Sequence, residues 1–471
     1  MGDMEIVEKK PEEASDAIAA YGNADSVHRG ASVSTAFNVA GLNEDVRPKL
    51  WTGVFVLVIF ITFACFVIGQ GLNSGTSVYL SHKGYGESLS GVLALVFSAA
   101  AAIMRLTVGP LIDKGRCSLV ITVGVAILTA GAFIPVALDG VEALVISRIL
   151  QGIGFAMSTT AAATAAAEVL PMERLGEGIG YHGLGQAIAM AIGPAFALYL
   201  AGTDSASNLY LGLTLAGIVG LIAAFFVRYE HRPKALPETS AFRMRYERKQ
   251  ELESTREGRS EALNATPGAP DDVAAPATKQ GNLSSLFEPR ALAGALPVMV
   301  ISPTFGFGIF FVGLYGTELG VGSASLFYTI AAASMIVVRL KSGAFMDRVV
   351  PIKIFTVAVI CGLVTTAMLF FAAVNDWIFY LSGISYGLCL GLTMPVNQSV
   401  AVKNTPSDRW GAANGLFLLA QDLGIGLSSV LWDVTAEQFG FQVTIVLVAC
   451  CIAASYAIAW ASYPKRDKAW K

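Results

Sequence analysis

Long apolar runs, separated by short polar breaks, recur along nearly the whole chain. A helical span of a bilayer needs about 20 consecutive apolar residues. Six runs meet that length at residues 51–80, 89–112, 118–138, 141–167, 177–201 and 208–228, and six more, after a hydrophilic stretch, at 291–316, 324–346, 352–374, 377–402, 410–434 and 441–463. Backbone amides cannot be left unpaired in lipid, so each run is predicted to be a helix. The pattern predicts an all-α membrane protein of twelve transmembrane helices in two six-helix bundles, residues 50–228 and 291–463. Around them lie a polar arm (1–49), a linker (229–290) and a short tail (464–471).

Composition sharpens this picture. Of 471 residues 54% are hydrophobic, and of the 67 charged side chains 14 fall in residues 1–49, 20 in 229–290 and 5 in the last eight, which leaves 28 for the other 352 residues. A soluble enzyme does not carry so charge-poor a body. The net charge of −3 offers no global basic field, so no nucleic-acid partner is expected. The six cysteines lie in apolar spans or beside a basic loop, and no structural disulfide is expected. The acidic first 49 residues contain no basic-then-apolar stretch, which argues against a secretory signal.

Lys and Arg are distributed unevenly between alternate breaks. One set holds Lys114, Arg116, Arg174, Arg348, Lys353, Lys403 and Arg409, together with the basic tail. The other holds only Lys83, with Glu87, Asp139, Glu142, Asp204, Glu318, Asp376 and Glu437. The bias places both termini and the central linker in the cytoplasm of a multi-pass cell-membrane protein. Within the linker, Glu/Arg neighbours from Arg243 to Glu261 predict a solvated helix, followed by a Pro/Ala-rich part around Pro267-Gly-Ala-Pro-Asp-Asp. The Asn-x-Ser/Thr triplets at Asn264 and Asn282 are then chance matches.

The two halves repeat. Arg105-Leu106-x-x-Gly109-x-x-x-Asp113-Lys114 returns as Arg339-Leu340-x-x-Gly343-x-x-x-Asp347-Arg348, an offset of 339 − 105 = 234. Arg174-x-Gly176-x-x-x-Gly180 with Gln186 returns as Arg409-x-Gly411-x-x-x-Gly415 with Gln421, an offset of 409 − 174 = 235; Ser147, Gly152 and Pro171 likewise pair with Ser382, Gly387 and Pro406. The bundles are therefore pseudo-symmetric copies in the same orientation. Such copies around a midplane site let one half rock against the other.

On these motifs the chain resembles a major facilitator superfamily transporter over residues 50–463. Gly109-x-x-x-Asp113-Lys114-Gly115-Arg116 is similar to that superfamily's loop between helices two and three, one residue shorter than the usual form. The resemblance implies a cytoplasmic gate in which Arg105, Gly109, Asp113, Lys114 and Arg116, with Arg339, Gly343, Asp347 and Arg348, latch the halves together when the carrier faces outward. Arg148-x-x-Gln151-Gly152 resembles a motif of proton-coupled members. Gly193-Pro194 resembles, incompletely, the antiporter motif of drug exporters, the surrounding glycines being replaced by Ala189, Ala197 and Leu198. The resemblance also implies that helices one, four, seven and ten line the cavity. Gln70, Asn73, Arg148, Gln151, Tyr315, Tyr386 and Asn397 are then candidate substrate contacts, with interhelical hydrogen bonding as the competing reading.

Ionisable groups deep in a span are costly and mark function by default. Asp422 lies 422 − 409 = 13 residues past Arg409, about 20 Å along the eleventh helix. Burial favours the neutral form of a carboxyl group, which suits a carrier that must take up and release a proton; the alternative is a fixed interhelical partner. Arg148 lies six residues past Glu142, about 9 Å below the outer surface, a depth that could overlap that of Asp422 and allow the two to pair; it could hold an anionic substrate group, bias a carboxylate's protonation, or tie to backbone carbonyls. His182 is a third candidate for proton coupling, since imidazole changes charge near neutral pH; packing is the alternative. Glu168, Glu173, Glu177 and Asp433 sit near span ends and are read as interfacial or gating residues. Gly178-x-Gly180-x-x-Gly183 matches a dinucleotide fingerprint by letter only, since no strand precedes it. No Walker loop, metal-ligand cluster or nucleophile triad is present in the sequence, so no cofactor is expected and energy must come from a gradient.

The reading is a non-enzymatic secondary transporter, a monomer that exports a small organic solute in exchange for protons and favours amphiphilic or aromatic compounds. The alternatives are proton symport or facilitated uptake of an organic acid, and a transporter-like solute receptor.

Overall fold

The computed structural model describes residues 48–85, 87–201, 207–264, 288–322 and 324–463. The arm before residue 48, the Pro267 segment with Asn282, and the tail from 464 lie outside the described residues. The first half contains α1 (Gly53–His82), α2 (Glu87–Asp113), α3 (Cys117–Ala137), α4 (Val141–Val169), α5 (Leu175–Ala201) and α6 (Asn208–Phe225). The linker helix α7 is Ala241–Asn264. The second half contains α8 (Leu292–Phe310), α9 (Val312–Glu318), α10 (Ser325–Met346), α11 (Pro351–Phe370), α12 (Asp376–Lys403) and α13 (Trp410–Ser462).

Ten helices among the described residues are long and apolar enough to cross a membrane. Twelve spans result because α5 adds one and α13 contains two, joined at Gly440 where the backbone leaves the helical region (φ 80°). A side chain at that φ would be strained, so glycine makes the corner. Where the sequence predicts a break between spans eleven and twelve, the chain turns on this single residue. The seventh span is instead interrupted at Phe311, between α8, which carries Pro297 and Pro303, and α9. The tight turn from α2 into α3 uses Gly115 (φ 78°), which explains how the loop closes one residue short of the usual length.

Each half has its own apolar core. The exceptions are Val402 and Trp410, which join the first core, and Ala163, which joins the second. All three lie toward the end of the molecule that carries Arg174, Lys403 and Arg409, called the basic end below. Lipid tails are as apolar as the side chains, so helices in a bilayer associate through close packing rather than water exclusion. A Cβ on Gly152 of α4 would lie 2.4 Å from the Phe97 carbonyl of α2, and one on Gly387 of α12 would lie 2.1 Å from the Ala331 carbonyl of α10. These contacts are repeat equivalents (387 − 152 = 235; 331 − 97 = 234), so the sequence repeat is also a packing repeat. The outer faces remain apolar: Leu95 is 69% exposed and Leu427 68%, a surface suited to acyl chains.

The linker departs from the expectation of a freely solvated helix. Arg245 of α7 pairs with Glu168 of α4 and donates to the Ser407 carbonyl in the other half at 2.7 Å. Glu168 is buried and also accepts from the Tyr229 hydroxyl, so it does not reach water as its position near a span end suggests. The segment that folds back over the basic end covers it, an effect that hydropathy along the chain does not encode.

Candidate functional site

The two copies of the repeat meet crosswise at the basic end. Asp113, closing α2, accepts hydrogen bonds from the backbone N–H groups of Gly411 (2.6 Å) and Ala412 (3.2 Å), at the start of α13. Asp347, following α10, accepts from Gly176 and Glu177 (both 2.8 Å), at the start of α5, and pairs with Lys403 at 2.9 Å. Each carboxylate thus satisfies orphan donors at a helix N-terminus of the opposite half, where the helix dipole also favours negative charge. A Cβ on Gly109 would sit 2.8 Å from Ala412 Cα, and one on Gly411 would sit 2.5 Å from the Gly109 carbonyl. Glycine is therefore required for the approach. Gly343 faces Glu177 and Tyr181 of α5 in the equivalent junction. Among the residues grouped as a gate, Lys114, Arg116 and Arg348 are exposed.

Arg105 and Arg339 lie deeper and do not join that contact. Arg105, 2% exposed, donates from Nε to Asp422 Oδ2 at 2.7 Å across the two halves, and its Nη1 reaches Thr160 (3.3 Å) and Thr159 (3.5 Å) of α4. The carboxylate of the eleventh span therefore faces a cation in the other half rather than lipid. Its partner is Arg105 and not Arg148. The helices run antiparallel from the Asp113 cap. Eight residues back along α2 and ten forward along α13 reach depths of roughly 12 and 15 Å, which brings the two charges level.

The repeat equivalent of Arg105 has no such partner. Arg339 is 2% exposed, and its Nε and Nη1 are buried without an acceptor among the described residues. It lines a cavity between the halves with Gln186 and Met190 of α5, Tyr386 of α12, and Gln421 and Ile425 of α13. Gln186 and Gln421 are repeat equivalents, as are Met190 and Ile425 (421 − 186 = 425 − 190 = 235). The cavity therefore sits on the pseudo-twofold axis. Its volume is about 30 Å³, room for about two waters. In this state a solute can place only a small polar tip there.

Of the side chains proposed from sequence as substrate contacts, Tyr386 lines this cavity, its hydroxyl donating to the Phe305 carbonyl at 3.3 Å. Arg148 donates to the Leu72 carbonyl (2.9 Å), to Thr76 and to Gln151 (3.3 Å), all within the first half. Gln151 in turn donates to Ser147 (2.6 Å) and the Gly131 carbonyl (3.1 Å). Asn397 accepts from Tyr463 at 2.9 Å, and Tyr315 donates to the Leu369 carbonyl at 3.1 Å. Gln70 is half-buried and Asn73 exposed on α1. His182 shares a 2.9 Å hydrogen bond with Thr62. Gly193, beside Pro194 within α5, brings that helix close to Gln70 and Val67 of α1. Gln186 and Gln421 are visible in the sequence only as repeat markers. Their being polar, in a span and mutually equivalent was the available signal for a site on the axis.

Hydrogen bonds from a charged donor are worth about 1.5–3 kcal/mol each. Arg148→Ala is accordingly expected to lower the thermal unfolding midpoint of the detergent-solubilised protein, because α4 loses its ties to α1. An unchanged midpoint would remove the structural role of Arg148.

Comparisons with known proteins bear on the family and the fold. The family model for the Major Facilitator Superfamily matches residues 58–429, with a further match over 357–471. The staphylopine export protein of Staphylococcus aureus (strain Mu50 / ATCC 700699) is 23% identical over 394 residues, covering 82% of this chain and 90% of its own. The crystal structure of the human organic anion transporter MFSD10 (TETRAN) superposes with a TM-score of 0.65 at 12% identity, over 86% of this chain and 98% of that one. The transporter FucP in the outward conformation gives 0.62 at 13% identity, over 88% and 100%. At these identities the structural likeness establishes the fold alone.

Proposed function

The chain belongs to the major facilitator superfamily, and on that premise we propose that it is a proton-coupled antiporter exporting a small organic solute by alternating access. The observation that carries this is the 2.7 Å Arg105–Asp422 pair, which joins the two halves beside a cavity on their common axis. With the basic end assigned to the cytoplasm by its Lys and Arg, the Asp113 and Asp347 caps close the cytoplasmic side in this state. The staphylopine exporter, a relative along most of the chain, supports the export direction.

Asp422 is the proton carrier. Ionised, it holds Arg105 and keeps the halves together at that depth. About a third of its side chain is exposed (34%). Protonation by an external proton cancels the charge and removes the Coulombic hold on Arg105, so α2 and α13 are free to part. The carboxyl group then faces the cytoplasm, returns its proton there and re-forms the pair once solute has bound. One proton moves inward for each passage of the solute outward.

Everted membrane vesicles incubated in a cell metabolite extract test the reading. An imposed gradient, acidic inside the vesicle, is expected to accelerate the uptake of at least one solute relative to vesicles lacking the protein, read by mass spectrometry. Acceleration by the reverse gradient instead indicates symport, and binding without flux indicates a receptor.

A further inference from the structure

We propose that Arg339 is an anion anchor, and that the transported solute is an amphiphilic organic acid whose carboxylate supplies Arg339 with the counter-charge that Asp422 supplies to Arg105. That the bound acid is transported rests on the proposed function; that Arg339 binds it rests on geometry.

The repeat shows what is missing. Arg105 and Arg339 are equivalents, but the position equivalent to Asp422 in the first half is Ala187 (422 − 235 = 187). One half of the molecule therefore completes its buried ion pair with its own chain, while the other presents the cation alone. The position is also shaped for a guanidinium. Gly183 of α5 lies directly beneath it, so that a Cβ there would meet Arg339 Nη1 at 2.4 Å; its equivalent in the second half is Leu418 (183 + 235 = 418). An arginine packed over a glycine, with two buried N–H-bearing atoms lacking acceptors, is costly to keep unless something binds it.

No acid of the packed elements is available to fill the role. Glu177 is held by Arg174 at 2.7 Å, Asp347 by two helix N–H groups and Lys403, and Asp422 by Arg105. His182, the other ionisable group of α5 near Arg339, shares its Nε2 with Thr62 and brings no negative charge. Among the described residues no anion answers Arg339, and the missing charge is taken from the solute. The cavity admits a planar, two-oxygen tip. Arginine presents a forked donor set that matches a carboxylate, and Gln186 and Gln421 flank it with amide donors. Around these polar groups stand Phe305, Ile309, Leu390 and Met394, so the part of the acid that adjoins its carboxylate is apolar.

Thermal unfolding of the purified full-length protein in detergent, followed with phenylbutyrate and with its neutral analogue phenylbutanamide, tests this. Phenylbutyrate is expected to raise the midpoint in a saturable manner and the amide to leave it unchanged. Arg339→Gln is expected to weaken phenylbutyrate binding by about tenfold to a hundredfold, with the ligand-free midpoint equal to or above that of the natural protein. A merely structural arginine would lower that midpoint on replacement. Lys341→Gln, the same change of charge on the exposed face of α10, is expected to retain the full response. Equal stabilisation by the amide, persistence of the response in Arg339→Gln, or indifference to phenylbutyrate, butyrate and adipate alike overturns the proposal. So does chloride or inorganic phosphate matching phenylbutyrate at equal concentration, which would make this a small-anion site. No gradient is involved, so carboxylate binding without proton-driven export refutes antiport and leaves the anchor standing, while export of neutral solutes does the reverse.

Discussion

Replacing Asp422 with asparagine is expected to abolish the response of transport to a pH gradient and to slow gradient-driven flux by about 30- to 150-fold. The size follows from what the substitution leaves behind. Breaking a fully buried pair by removing one partner costs about 3–5 kcal/mol, because the remaining charge is uncompensated. Arg105 is 2% exposed but Asp422 34%, so solvent screening reduces that figure to about 2–3 kcal/mol. The neutral amide can still accept a hydrogen bond from Arg105, so the protein should fold; what it cannot do is change charge. Flux in proteoliposomes with and without a pH gradient separates the two effects. The variant should be equally slow under both conditions, whereas a retained response to the gradient removes Asp422 from the coupling step. An Arg105→Met, Asp422→Leu double variant is expected to be more stable than either single one, since it leaves no orphaned charge; additive losses would deny that the pair acts as a unit.

The double variant Asp113→Ala, Asp347→Ala is expected to open the basic end. Each aspartate caps a helix of the opposite half, and a lost cap costs about 0.5–2 kcal/mol. The two junctions share no partner, so the losses should add to about 1–4 kcal/mol, a shift of roughly 5- to 1000-fold in the balance between latched and open states. Spin labels on cysteines replacing Lys114 and Asp408, both exposed and on opposite halves, read the separation directly, with the exposed native Cys450 removed. A longer distance population should dominate the double variant and rise to an intermediate level in each single one. An unchanged distance distribution would mean that the caps report closure without contributing to it.

Much of the architecture could be read from the chain because bilayer physics writes itself into one dimension. Length of apolar run, Lys/Arg bias and repeat offset are all properties of sequence order, and they delivered the twelve spans and the two equivalent halves. Asp422 stands out by the same logic, as an acid deep within a span, and the structure places it in an ion pair. Its partner does not stand out. Arg105 resembles a gate residue because it stands in the same motif as Asp113, and only the antiparallel pairing of α2 with α13 brings it to the level of Asp422. Arg148, conspicuous in the sequence, is occupied by Leu72, Thr76 and Gln151. Arg339, grouped with the gate, lines the central cavity instead. Which face a helical side chain presents depends on how the helices rotate against one another, and hydropathy does not carry that information.

The corner at Gly440 has a mechanical consequence. With one residue between spans eleven and twelve, there is no slack to absorb motion, so any tilt of the segment bearing Asp422 is transmitted to the neighbouring segment that carries Val446 and Trp460 on its exposed face. The acyl chains around that face must rearrange each time the carrier turns over. Turnover should therefore slow in stiffer bilayers even where solute and proton supply are held constant.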